Sequence, residues 1–376
     1  MSGSGADEGR SAFMEFTASR KRRVIFIVVV ALMTAIVSIG VLGVGGVIVP
    51  FDDVLKSLFH PLLPQFVPEA SESYYPVIIE GYRAPRVIMG ILTGACLAVA
   101  GASMQSILKN PLADPFTLGL SSAASCGAGT AIAFGPAILG STYYYGLTIW
   151  GNYVTVGWFF TIVMAFGFGL ASTAILLYLT KGSAVSKSTM ILTGVVIGYL
   201  FSAVLSYLKY VSEESTLKDI TNWLLGGMWG STWSSVILVL PIAILGMILL
   251  ESYAFELNTL SCGDDVAKNL GVDVRRLRVK ILVICALITS SCMAFTGIIG
   301  FIGLMSPHIV RMLIGNDNRY LIPASAFLGA LILVSCDAVA RYIVRPDDLP
   351  VGIIMYVLGG IFFVFLIKKM RGGYEI

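Results

Sequence analysis

Asp337 is the one carboxylate that falls inside a long apolar run of this sequence, and Arg341 follows it four residues on. On a helix that spacing makes an ion pair, worth about 0.2–0.5 kcal/mol where it is exposed. A carrier driven by an ion gradient relays charge through buried carboxylates. One such acid argues against that class. His308 and Arg311 stand three apart near the end of another apolar run. A histidine there reads first as a satisfied structural side chain and only second as a proton relay. Cys96, Cys126, Cys285, Cys292 and Cys336 lie within or at the ends of apolar runs, with no Cys-x-x-Cys and no neighbouring histidine. They read as small packing residues, and no metal or redox site is expected. No glycine is followed by lysine anywhere in the chain, which excludes a Walker-type phosphate loop. No cluster of His, Asp, Glu or Cys suggests an enzyme or receptor site. The chain is therefore expected to have no catalytic residues and to bind no cofactor. If ATP drives a process here, another polypeptide binds it.

What remains is a set of surfaces. In Arg83-Ala84-Pro85-Arg86, Pro85 suits the first turn of a helix, and the two arginines present charge at its mouth. They either snorkel to lipid phosphate or dock an acidic partner. Gln105 is polar and deep in a span, so it needs a partner or a water-filled path. Pro111 and Pro115 then keep Asn110–Pro115 out of a helix. Such backbone is tolerated at membrane depth where it is buried or lines a cavity; a plain turn is the simpler alternative. Gly297, Gly300 and Gly303 put a smooth ridge on one helix face.

Residues 258–280 form a polar segment between two apolar runs. Asp264, Asp265 and Lys268 are charged, while Val266, Leu270, Val272 and Leu277 recur at roughly helical spacing. Gly263 and Gly271 punctuate the segment, which predicts two short helices with a bend at Gly271. Arg275, Arg276, Arg278 and Lys280 lead into the next apolar run and place the segment on the cytoplasmic side. A compact, half-apolar surface held there by two membrane helices is a docking platform.

The elements that must hold these surfaces are membrane helices. Charged residues make up 12% of the chain, about half the share of a soluble domain. Apolar spans of membrane length recur near 24–44, 87–108, 116–134, 153–179, 189–208, 232–250, 279–296, 299–314, 322–340 and 351–367. The expected class is an all-α polytopic membrane protein of ten helices. The first run is too long for a signal-peptide core and lacks a small-residue cleavage site before Pro50. Residues 1–23 read as a polar, disordered cytoplasmic N-terminus, 24–368 as the membrane domain and 369–376 as a cytoplasmic tail. That orientation puts most of the 25 Lys and Arg inside. The net charge of +3 reflects this asymmetry and implies no nucleic acid. The outer loop 45–82 begins with a short amphipathic helix at Phe51–Phe59 and is then broken by Pro61, Pro64, Pro68 and Pro76. A second short helix near Trp223–Trp229 lies at the outer interface. At one constant offset, Thr93, Cys96, Ala98, Gly101, Leu108 and Pro111 fall on Thr289, Cys292, Ala294, Gly297, Leu304 and Pro307. The two copies enter the membrane in opposite directions, which makes an inverted repeat.

Taken in order, Arg83–Arg86, Gly101–Pro115, the 258–280 platform, Gly297–Arg311, Asp337–Arg341 and Leu349-Pro-Val-Gly352 resemble the FecCD-type permeases. Those are membrane subunits of ATP-driven importers for ferric siderophores, haem and cobalamin. The resemblance runs from Arg83 to Lys369. It implies ten helices per subunit, a second permease copy (here a homodimer) and two ATPase subunits that bind ATP and magnesium. It also implies an extracytoplasmic binding protein, and residence in the lipid of the cytoplasmic (inner) membrane. Carried over by position, Asp264, Asp265, Val266, Leu270, Gly271 and Val272 correspond to the ATPase-coupling segment. Arg83, Arg86 and Arg341 correspond to arginines that dock the binding protein. Asn110 and Leu112, with Gln105 behind them, correspond to an inner gate. A second gate falls at Lys187 and Ser188, where the lysine departs from the family's small polar residues. Helix five, Met190 to Tyr207, would line a path with few charges, suited to a bulky cargo. A ferric siderophore is the expected cargo, with cobalamin or haem as alternatives.

Overall fold

The computed structural model describes residues 4–149, 152–181, 187–344 and 347–371. Helix α1 (Ser4–Val41) is followed by α2 (Phe51–Phe59) and the single turn α3 (Tyr74–Pro76). A π-helical stretch, Val77–Arg83, then feeds α4 (Ala84–Leu108). Helix α5 (Leu120–Leu139) and α6 (Val156–Leu179) flank a hairpin of β1 (Gly146–Ile149) and β2 (Asn152–Thr155). Helices α7 (Lys187–Val211), α8 (Glu214–Leu225) and α9 (Trp233–Ser252) lead to α10 (Ala254–Ser261) and α11 (Asp264–Asn269). Helices α12 (Val274–Thr296), α13 (Ile302–Ile314), α14 (Asn318–Ile343) and α15 (Val351–Arg371) complete the chain. Nine helices among the described residues are long and apolar enough to cross a membrane. The tenth expected span is the shorter α13.

The bundle is built around α4, almost all of which is buried. Its small residues permit this. A Cβ placed on Gly101 would lie 1.9 Å from the Gly303 carbonyl oxygen, and one on Gly94 would lie 2.4 Å from that of Gly329. Backbone therefore packs on backbone where α4 crosses α13 and α14, the close approach that small residues allow within lipid. Met89, Leu97, Ile107 and Leu108 fill the space between with fully buried side chains.

Three expectations need correction. The polar N-terminus is helical from Ser4, and Arg23 ties its continuation to Asp317 at 3.3 Å. The ridge of Gly297, Gly300 and Gly303 is not one helix face. Helix α12 stops at Gly297 (φ +67°), and α13 begins only after Phe301 (φ +68°). This break is buried in protein, since the Gly227 N–H donates to the Thr296 carbonyl at 2.8 Å, which is how such backbone is tolerated at membrane depth. The 258–280 segment bends at Cys262–Gly263, between α10 and α11, and Gly271 (φ +85°) then turns the chain into α12. The loop between α5 and α6 carries an antiparallel hairpin pairing Gly146 with Thr155 and Ile149 with Asn152.

Candidate functional site

At the end of α4 that the charge bias places outside, three arginines converge. Arg86 lies in the first turn after Pro85 and holds Asp337 of α14, with Nη2 to Oδ1 at 2.9 Å and Nε to Oδ2 at 3.1 Å. It also bonds Asp348, in the segment before α15. Arg341 pairs with the same Asp337 at 3.1 Å and donates to the Val44 carbonyl at 2.7 Å. The intrahelical pair expected at this spacing is thus one side of a larger cluster. Arg83 donates to the Leu42 carbonyl at 2.7 Å and to that of Val47. All three arginines and Asp337 are buried. The expected outward presentation of Arg83 and Arg86 is therefore not what the chain adopts. Charged donors at the edge of lipid gain more from desolvated carboxylate and carbonyl partners than from a snorkelling geometry, and the glycine-rich turn after α1 supplies those carbonyls.

At the opposite end, Gln105 finds partners rather than open space. Its Nε2 donates to the Gly303 carbonyl at 3.1 Å, and its Oε1 accepts from Arg311 at 2.9 Å. This joins α4 to α13. His308 is buried with its ring edge-on to Phe362, 5.9 Å between centroids, but its Nε2 has no hydrogen-bond partner among the described residues, so it packs without being the satisfied side chain expected. Lys109 ends α4 in a left-handed conformation (φ +49°). The Asn110 side chain then accepts from the Leu112 N–H at 2.9 Å, an Asx turn that leaves Leu112 53% exposed. Asp114 is buried and accepts from the Thr117 N–H at 2.8 Å, capping the turn Phe116–Leu118. Helix α7 rests on this turn, where Gly194 meets Leu118. Ser188, in the first turn of α7, is exposed, and the side chain of Lys187 lies outside the described residues.

Burial pushes the Asp114 carboxyl up from 3.8 to about 6, against the opposing pull of the Thr117 hydrogen bonds. The sign follows. As pH falls through about 6, the folded state takes up a proton that the unfolded chain accepts only near 3.8. Burial of the charge therefore destabilises the protein at neutral pH, and that cost is relieved as pH falls from about 6 toward 4. Thermal melts of purified protein between pH 7 and 4 should show a gain in stability that is smaller in Asp114→Asn. An identical pH profile in the variant would remove this assignment.

The 258–280 segment divides its residues between two directions. Val266 and Leu270 are exposed, and Asp265 pairs with Lys268 of its own helix at 3.2 Å. Asp264 turns inward to Arg278 at 2.7 Å, and Ala267 is buried. Val272, expected to share the apolar ridge, packs instead against the main core, because Gly271 reverses the chain before it.

Reading the sequence missed several residues of these clusters. Asp348 carried one signal, its place beside a membrane span and prolines. Asp317 carried only the helix-start signal of an N-cap acid before α14, and Asn258 and Asn318 carried none for this contact. They meet only in the fold, where Asn258 donates to Asp317 at 2.7 Å and accepts from Asn318 at 2.9 Å.

Comparison with known proteins places this geometry. The model of the FecCD transport family matches residues 21–369. An uncharacterised ABC transporter permease protein of Bacillus subtilis, YvrB, is 37% identical over 97% of this chain and 99% of its own length. The Fe(3+) dicitrate transport system permease protein FecD of Escherichia coli is 36% identical over 81% of this chain and 88% of its own. Among solved structures, an ABC transporter assigned to the metal-chelate type, in an inward-facing conformation, superposes with a TM-score of 0.76 at 27% identity. It covers 91% of this chain and 98% of its own. A match over nearly the whole chain, with relatives this similar along most of their length, makes the chain a member of the FecCD transport family.

Proposed function

We propose that this chain is the membrane permease of an ATP-binding-cassette importer that moves a bulky metal chelate, a ferric siderophore in the first instance. It catalyses no reaction. Two copies form the path, two separate ATPase subunits bind ATP and magnesium, and an extracytoplasmic binding protein delivers the cargo. The protein sits in the cytoplasmic membrane with both termini inside. The observation that carries this reading is the arrangement at the inner end. An exposed apolar face (Val266, Leu270) is fixed beside a loop that holds Leu112 in the open. Such a face suits docking onto a second polypeptide. Leu112 suits an apolar closure formed against a second copy, which gates by excluding water.

Relatedness to a dicitrate-iron permease supports an iron chelate, and relatedness of the same degree to a hemin and a cobalamin permease supports the alternatives. The described part of α7 agrees: Leu192, Val196, Tyr199 and Tyr207 are exposed along it and none is charged. Cobalamin or haem is the alternative cargo. At the outer end, Arg83, Arg86 and Arg341 serve docking by holding the loop 42–47 and the start of α4 in one shape, on which the binding protein sits.

The test is a Leu112→Cys variant of the complex. It should cross-link to its second copy in the nucleotide-free state and lose that cross-link in another nucleotide state. Leu112→Gly should leak small solutes from reconstituted vesicles. No cross-link in any state, with a tight glycine variant, would move the gate to the region of Ser188.

A further inference from the structure

One charged contact joins the platform to the end of α4. Asp264, the first residue of α11, accepts from Arg278 Nη2 at 2.7 Å. Arg278 lies in the opening turns of α12 and also donates through Nε to the Ile107 carbonyl at 3.4 Å. Lys109 Nζ stands 4.0 Å from the other carboxylate oxygen of Asp264. Ile107 belongs to the last turn of α4, Lys109 ends it, and Asn110–Leu112 follow directly. The Arg278 side chain is 12% exposed and that of Asp264 31%. The remaining platform pairs differ in kind. Asp265–Lys268 and Asp273–Arg276 are exposed and close within one short stretch of chain.

We infer that the Arg278–Asp264 pair is the strut through which displacement of the α10–α11 face moves the Asn110–Leu112 loop. Arg278 is then a positioning residue of the importer. This rests on the permease reading given above. The physical reason is the directionality of the contact. Apolar packing between α10 and α4 can slide, whereas a charge-assisted, partly desolvated hydrogen bond resists both shear and separation. A guanidinium that holds a carboxylate and a helix-end carbonyl together fixes the orientation of both. The neutral link from Asn258 through Asn318 to Ser106 holds α10 to α4 without any contact to the gate loop.

The experiment uses the permease assembled with its ATPase and carrying Cys262→Ser, since Cys262 is exposed and the other described cysteines are buried. Leu112→Cys is added, and the rate of maleimide labelling at position 112 is read without nucleotide and with Mg-ATP plus vanadate. The parent's two rates should differ about fivefold or more, the range of an energetic coupling between sites. In Arg278→Gln the complex should still assemble and hydrolyse ATP, and in both Arg278→Gln and Asp264→Asn the two rates should converge to within about twofold. A purely structural defect would shift both rates alike and leave their ratio unchanged. If Arg278→Gln does not survive purification, Arg278→Lys is read the same way. It keeps the charge but lacks the fork that spans Asp264 and the Ile107 carbonyl. A full nucleotide response in these variants overturns the strut. Equal rates in the parent overturn the gate itself, and the strut with it.

Discussion

Replacing Asp337 with alanine should remove the folded protein from the membrane, or leave one that unfolds far below the parent. Asp337 is 3% exposed and takes both Arg86 and Arg341 on its two oxygens. Without it, two guanidiniums stay buried with Asp348 and backbone carbonyls as the partners that remain. Removing one member of a buried ion pair costs about 3–5 kcal/mol, because the charge left behind has lost its partner inside a low-dielectric region. Here one carboxylate serves two charges, so the upper part of that range is expected. Asp337→Asn keeps the shape and part of the hydrogen bonding, and should fall between parent and alanine. The contrast is Lys268→Ala, which breaks a pair whose side chains are 61% and 93% exposed. That change should stay within about 0.5 kcal/mol. Thermal unfolding of detergent-purified protein compares the three. An alanine variant that melts with the parent would mean that water or lipid phosphate, not Asp337, satisfies the arginines.

The cluster also shows where sequence reading stops. The spans were legible because each is a long apolar run. The Asp337–Arg341 pair was legible because helical spacing alone brings the two together. What Arg83 and Arg86 do was not. Their partners sit 41 and 251 residues away in the chain. Periodicity tells which face of a helix a side chain leaves, but not whether a long flexible one turns toward solvent or folds back onto carbonyls. The broken backbone at Gly297–Phe301 was hidden for a related reason. Its apolar composition continues unbroken, and only the tertiary contacts at Gly226 and Gly227 make a non-helical path affordable. The hairpin after α5, which pairs Gly146–Ile149 with Asn152–Thr155, was masked by the neighbouring apolar runs. At the platform, composition and spacing found Val266 and Leu270. The reversal at Gly271 decided that Val272 faces the core.

That division makes Leu270→Asp the sharpest functional test. Leu270 is 69% exposed and Val266 45%, side by side on a face that α10, α11 and the start of α12 hold rigid. The new carboxylate would stand in solvent when the permease is alone, so folding and thermal stability should stay within about 0.5 kcal/mol of the parent. Docked into an apolar groove, the same carboxylate would be desolvated without a partner. Truncating a buried interface anchor costs about 2 kcal/mol or more, and an unpaired buried charge adds to that. Affinity for the ATPase should therefore fall by a factor of about 30 or more, enough to lose co-purification at low micromolar concentration and ATP-driven uptake with it. Val272→Asp provides the opposing control. Val272 packs on the core, so that variant should lose stability before it loses any partner. The order of the two failures discriminates the readings. If Leu270→Asp keeps its ATPase and its uptake while Val272→Asp alone fails, the exposed side of α11 touches no partner and the coupling face lies elsewhere on the chain.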